Sequence, residues 1–298
     1  MLNLPHSMLT ALEGKNTILV LGVSGGLDIF AGMPLYYSLT KFGKKIHLAN
    51  ITHTDFKTIN EFADPIILAP GLYGANFKIK TPSTNYVEGY LSQFFKASAN
   101  QDVVVWMFER TTVPMMKKAC ERLIEHLKLD AIILVDGGVD SIMTGKEDGV
   151  THNFVDNVLI LKIFQEMPEL NGKVFSVACY DNTIDISKNL SLLSLQGGFY
   201  GGCYLLSFMK SYQILKMAYN YIKNNNDVLS VDRIIKITES DFEDDEEKIS
   251  PMQYLFFNTE ALIYNNIVIP QMLEDMSYYD IVQIIAPIIK HRNSEGQI

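Results

Sequence analysis

"VLGVSGGLDIFAGMPL", residues 20–35, decides how the chain is read. A hydrophobic run ends at Gly22, a serine and two glycines follow, Asp28 comes next, and the chain turns apolar again. Two structures fit such a passage. One is a phosphate cradle: Gly25 and Gly26 have no side chains to keep backbone N–H groups from an anion, and the following helix adds its N-terminal dipole. The other is a plain strand-to-helix turn. Pro34 places the start of the regular helix close to itself.

Outward from this stretch, apolar runs rich in Val and Ile recur: "TILVLG" (17–22), "KIHLANI" (45–51), "DVVVWMF" (102–108), "AIILVDG" (131–137) and "KVFSVACY" (173–180). Apolar on both faces, they read as strands buried in a parallel sheet. "PIILAP" (65–70), bracketed by prolines, reads as a further short strand. Helical spacing runs through 31–43, 86–99, 113–129 and 156–167. Strand and helix in alternation predict an α/β fold: a doubly wound, mostly parallel, Rossmann-like sheet in one domain over 1–298. Residues 1–203 form its sheet core, and 204–298 form a mainly helical extension packed on it. In that extension 211–225, 253–266 and 279–292 read as helices. Glu243 to Glu247, an unbroken acidic run, reads as a solvated loop.

With 298 residues, 48% apolar and 20% charged, the chain has the composition of a globular protein. A net charge of -9 excludes a basic nucleic-acid footprint. Cys120, Cys179 and Cys203 show no C-x-x-C spacing, so a reducing cytoplasm is the expected compartment. The first residues lack a basic segment followed by a continuous apolar one, and no apolar run approaches membrane-spanning length, so no membrane partner is expected. A homo-oligomer is compatible with this composition.

A second informative stretch is "ILVDGGVDSIMTGKEDGVTHNFVDNVLILKIF" (133–164). It starts as a strand and reaches the same rim with Asp136, Gly137, Gly138, Asp140 and Ser141. Carboxylates grouped at a sheet rim repel one another unless a metal, a sugar diol or a basic group compensates. Capping the next helix, or accepting backbone N–H groups in the turn, would also occupy Asp136 or Asp140. Glu109 and Arg110 follow "VVVWMF", Asp181 and Asn182 follow "VFSVACY", and His53 follows the second strand, so all face that rim. In "GGFYGG" (197–202), Tyr200 sits in a flexible loop from which it could stack on a base or sugar; a plain tight loop fits equally.

Established motifs narrow the chemistry. A dinucleotide fingerprint from Gly22 needs glycines where Ser24 and Leu27 stand, and no Walker lysine follows. No zinc-hydrolase histidine pair, G-x-S-x-G or cysteine–histidine nucleophile is present. "SGGLD" (24–28) resembles the pyrophosphate loop of the ATP pyrophosphatase family, which adenylates its substrates; Ile29 stands where that family has a hydroxyl residue.

Over most of its length the chain resembles one uncharacterised family, known as domain of unknown function 1152. The resemblance rests on "GVSGGLDIFAGMPL", "ILVDGGVDSIMTGKEDG" with "VDNV" beyond, "QGGFYGGC" (196–203) and "YLFFNTEAL" (254–262). It marks Gly25, Gly26, Asp28, Asp136, Gly137, Gly138, Asp140, Gly145, Glu147 and Asp156 as site positions, and implies no particular reaction. Ser24 and Leu27 depart from that family's glycine run.

The expected function is therefore an enzyme that binds a phosphorylated small molecule, a nucleotide or sugar phosphate, and hydrolyses it or transfers a group. Ser24, Gly25, Gly26, Asp28, Gly137, Gly138, Ser141, Glu147, Asp181 and Tyr200 are the expected ligand contacts. Asp28, Asp136 and Asp140 are candidate Mg²⁺ or diol ligands. Asp140, Asp136 or Glu109 is the candidate general base. A non-catalytic nucleotide-binding sensor module and an adenylating enzyme are the alternatives.

Overall fold

The computed structural model describes residues 6–23, 28–83, 86–143, 157, 159–160, 163–164, 167–180, 185–187, 189–191, 199–204, 217–218, 221 and 253–258. In chain order the elements are α1 (His6–Ala11), β1 (Thr17–Gly22), α2 (Asp28–Ala31), α3 (Met33–Lys41), β2 (Lys45–Ile51), α4 (Ile59–Phe62), β3 (Ile66–Ala69) and β4 (Leu72–Ala75). Then follow α5 (Val87–Ala99), β5 (Val105–Phe108), α6 (Val113–Leu127), β6 (Ala131–Asp136), β7 (Val174–Tyr180), β8 (Phe199–Tyr204) and β9 (Gln253–Asn258).

The described strands make one mixed sheet in the order β3-β4-β5-β2-β1-β6-β7-β9-β8. Its centre is parallel: β5, β2, β1, β6 and β7 run in one direction. Both margins are antiparallel, β3 and β4 on one side and β9 and β8 on the other. Central strands bury both faces, which is why their sequences read as unbroken apolar runs. In β1, Ile18 and Val20 join the core beneath α1, α3 and α5, while Leu19 and Leu21 join the core beneath α6. Successive side chains point to opposite faces, so one strand feeds two cores.

The helix after β1 is broken. One turn, α2, ends at Gly32, and α3 restarts at Met33 with Pro34 in its first turn. Proline lacks an N–H and suits a first turn, so the expected restart near Pro34 is observed. The N-terminal dipole expected at Asp28 is not that of a long helix, because α2 has four residues. Gly32 lets this segment sit down on the sheet: a Cβ there would meet Val20 Cγ1 at 2.6 Å.

Two further expectations change, and one strand was not anticipated. Residues 253–258 are not helical: they form β9, lying between β7 and β8. The run "QYLFFN" is dense in aromatic residues that favour strands. Tyr254, fully buried, donates its hydroxyl to Ala31 O at 2.8 Å and so satisfies a carbonyl at the end of α2. "FYGGCY" forms β8, a strand in place of the expected loop. "LYGA" (72–75) pairs antiparallel with both β3 and β5. Of 211–225 only Met217, Ala218 and Tyr221 are described, all helical; 279–292 lies outside the described residues. Among the described residues no helix is long and apolar enough to cross a membrane.

Candidate functional site

Five parallel strands deliver their carboxyl ends to one rim. β1 and β6 are neighbours there, with Gly22 opposite Val135, and Val23 N donates to Val135 O at 3.1 Å. The segments after these two strands therefore emerge side by side, which brings Asp28 and Asp136 to one edge. β1 leads to β2 on one side, whereas β6 leads to β7 on the other. A crevice opens where connections diverge in this way.

Across that divide Asp28 rests on Gly137. A Cβ on Gly137 would lie 2.7 Å from Asp28 Oδ1, closer than any real side chain tolerates. Glycine at 137 is thus the space in which the Asp28 carboxyl sits. Asp28 is 7% exposed, so its carboxyl is largely withdrawn from bulk water.

Asp136, 1% exposed, does a different job. Its Oδ1 accepts from Gly138 N at 2.9 Å and its Oδ2 from Ser141 N at 2.7 Å. Burial pushes its carboxyl above the usual range, and those hydrogen bonds oppose the rise. Both oxygens shape the turn, as the turn-acceptor alternative anticipates. Gly138 O accepts from Cys179 N at 2.7 Å, which ties the turn to β7. Asp140, half-buried, opens the one-turn 3₁₀ helix Asp140–Ile142 and accepts from Met143 N through its backbone carbonyl.

On the other flank of β1, Asn50 Nδ2 donates to Glu88 Oε1 at 2.7 Å, and both side chains are fully buried. Asn50 ends next to Gly22, where a Cβ would lie 2.4 Å from Asn50 Oδ1 and 2.6 Å from Ile29 N. Burial pushes the Glu88 carboxyl up, against hydrogen bonds from Asn50 and from the nearby Thr52 and Thr54 hydroxyls. Sequence reading missed this pair. The available signal was an asparagine inside the otherwise apolar end of β2.

Farther along the rim, Glu109 N donates to Gly71 O at 2.9 Å, and a Cβ on Gly71 would lie 3.9 Å from Glu109 Oε2. Burial, then Asp55, raise the Glu109 carboxyl, while Lys57 lowers it. Arg110 Nη1 lies 3.0 Å from His53 Nδ1.

The rim gathers Asp28, Asp136, Gly137, Gly138, Ser141, Glu109, Arg110 and His53. It does not gather Tyr200, whose ring packs against Phe175 with centroids 6.0 Å apart, on the β8 edge of the core. Ser24, Gly25, Gly26, Glu147 and Asp181 lie outside the described residues. Among the described residues no three His, Cys, Asp or Glu side chains are grouped to hold a metal ion. Each oxygen of Asp136, a candidate Mg²⁺ ligand, accepts one hydrogen bond from its own turn. Compared with protein-family models, curated proteins and solved structures, the chain matches none of them.

Proposed function

We propose that this protein binds a nucleotide or sugar phosphate in the crevice between the ends of β1 and β6 and catalyses its hydrolysis or a group transfer. The architecture is taken as doubly wound and Rossmann-like: the five parallel strands stand, in their own order of appearance, as 3-2-1-4-5, reversing beside β1. The observation that carries the reading is Asp28 seated on Gly137 across that reversal. A carboxylate over a side-chain-free backbone accepts two hydroxyl hydrogen bonds, as a sugar diol offers. Ser24, Gly25 and Gly26 hold the phosphoryl group in this reading. The resemblance to domain of unknown function 1152 agrees with the placement and adds no chemistry.

Of the candidate bases, Glu109 suits the role best, because burial raises its carboxyl and its side chain stays half-buried at the rim. It would take the proton of an attacking water or acceptor hydroxyl. Asp136 is left to shape the turn. That same engagement of Asp136 favours a second reading, a binding module without turnover.

A thermal-shift screen of nucleotides and sugar phosphates tests the binding. At least one should raise the melting temperature of the wild type and not of Asp28→Ala. A panel without any stabilising member would remove the reading. Product release from a stabilising ligand, lost in Glu109→Gln, would separate the enzyme from the module.

A further inference from the structure

We infer that Tyr254, in β9, is a positioning residue of the rim: its hydroxyl holds α2 in place, and with α2 the Asp28 carboxyl that meets the ligand. The inference rests on the reading of the rim as a nucleotide or sugar-phosphate site. It adds to that site a residue from the antiparallel margin of the sheet, 223 positions along the chain from the carbonyl it holds.

α2 cannot hold its own place. It has four residues, far below the length at which a helix is stable alone. All four, Asp28 included, are buried, so the position of the turn is set by what surrounds it. At its end, Tyr254 Oη donates to Ala31 O at 2.8 Å. Near its start, Asn50 Oδ1 and Ile29 N border the same small space beside Gly22. Gly32 N closes the turn, donating to Asp28 O at 3.2 Å and to Ile29 O at 3.1 Å. A displacement at Ala31 is therefore passed to Asp28, whose Oδ1 rests on Gly137.

Packing does not require the hydroxyl. Tyr254 and Phe256 lie on the same face of β9, with ring centroids 6.4 Å apart, and both are buried in the same core. Phe256 fills its place with a ring alone. A buried phenol costs free energy unless its hydroxyl is bonded, so for filling the core a second phenylalanine would do. What the hydroxyl adds is an anchor of fixed position. β9 is paired with β7 along its whole length, from Gln253 to Asn258. Through Tyr254 the single turn of α2 takes its place from the sheet.

The test compares wild type with Tyr254→Phe, which removes one oxygen atom and keeps the ring. Asp130→Ala serves as the structural control. Asp130 Oδ2 accepts from Asn16 N and Thr17 N, each at 2.9 Å, at the amino end of β1 and so opposite the rim. Its loss loosens the sheet without touching α2. Two quantities are measured. One is the carbon-13 NMR resonance of the Asp28 carboxyl at fixed pH, assigned through its disappearance in Asp28→Ala. The other is affinity, by calorimetric titration with nucleoside 5′-mono- and diphosphates and the phosphates of ribose and glucose. In Tyr254→Phe the Asp28 resonance should move, and affinity for the panel member that wild type binds should fall about twofold to tenfold, the worth of one hydrogen bond. Asp130→Ala should leave both unchanged. An unmoved Asp28 resonance or an unchanged affinity in Tyr254→Phe, or an equal loss in Asp130→Ala, overturns the positioning role and leaves the rim reading in place. A wild type that binds no panel member overturns the rim reading itself, and the positioning role with it.

Discussion

Asn50 and Glu88 meet through one 2.7 Å hydrogen bond, from Nδ2 to Oε1, with neither side chain reaching solvent. One comes from the end of a central strand and the other from the first turn of α5. Their contact fixes that helix against the rim, directly beneath the Gly22 turn. Glu88→Ala leaves the Asn50 amide short of its acceptor and opens a cavity, so a loss of about 2–4 kcal/mol is expected. Glu88→Gln keeps the acceptor and should cost less than about 1 kcal/mol. Urea unfolding of the two variants decides the order.

The same carboxyl gives a pH signature. Burial raises Glu88 and Asp136 in the folded chain, which favours their neutral forms. A raised folded pKa contributes stability that is complete below the unfolded carboxyl value, about 4, and is lost as pH climbs through the folded value. The urea midpoint should therefore decline with rising pH more steeply in wild type than in Glu88→Gln. Equal slopes would show that Glu88 ionises without cost.

His47 acts in the opposite sense. Burial first, then Lys45 and His126, lower its imidazole to about 4. A depressed folded value contributes stability above the unfolded value of about 6.5 and loses it as pH falls towards 4. The loss is about 2–3 kcal/mol across that window, and His47→Leu should abolish it. Comparing the two proteins at pH 7 and pH 4.5 isolates this contribution from that of Glu88.

Parallel strands were the legible part of this fold. "TILVLG", "KIHLANI" and "AIILVDG" are apolar on both faces, and that pattern follows directly from burial under two layers of helix. "LYGA" was illegible because a four-residue strand with a central glycine lacks both length and propensity. "QYLFFN" was misread because a continuous aromatic run has no period to separate strand from helix. At the rim, the meeting of Asp28 with the Gly137 turn followed from two parallel strands ending together. Glu88 was hidden for a physical reason: an acid in the first turn of a helix ordinarily faces water, where the helix dipole favours it.

Gly137 supplies a fourth expectation. An alanine methyl there collides with Asp28 Oδ1 and must expel the carboxyl from its seat. Gly137→Ala should destabilise by about 1–3 kcal/mol and weaken ligand binding as Asp28→Ala does. Combined with Asp28→Ala it should cost less than the sum of the single changes, because the obstacle is gone. Additive effects would mean that the two residues do not share the space.

Gly22→Ala should be more damaging than Gly14→Ala, although only Gly14 has a positive φ. At Gly14 nothing lies within 4 Å, so backbone strain of about 1 kcal/mol is the whole cost. At Gly22 the methyl meets Ile29 N at 2.6 Å, a backbone atom that cannot move without lifting α2 off the sheet. A larger fall in melting temperature for Gly22→Ala is the expected outcome.

The place of β9 has a consequence for how the chain is made. Residues 253–258 fill the gap between β7 and β8, although β8 is complete by Tyr204. A chain emerging from the ribosome can assemble β1 to β7 early. It must then hold the β7 edge open, and keep β8 without its neighbour, until about fifty further residues have been synthesised. An exposed strand edge is a template for pairing with other chains. A product halted between Tyr204 and Gln253 would carry that edge permanently, so premature termination in this interval should yield aggregation and not a smaller soluble core.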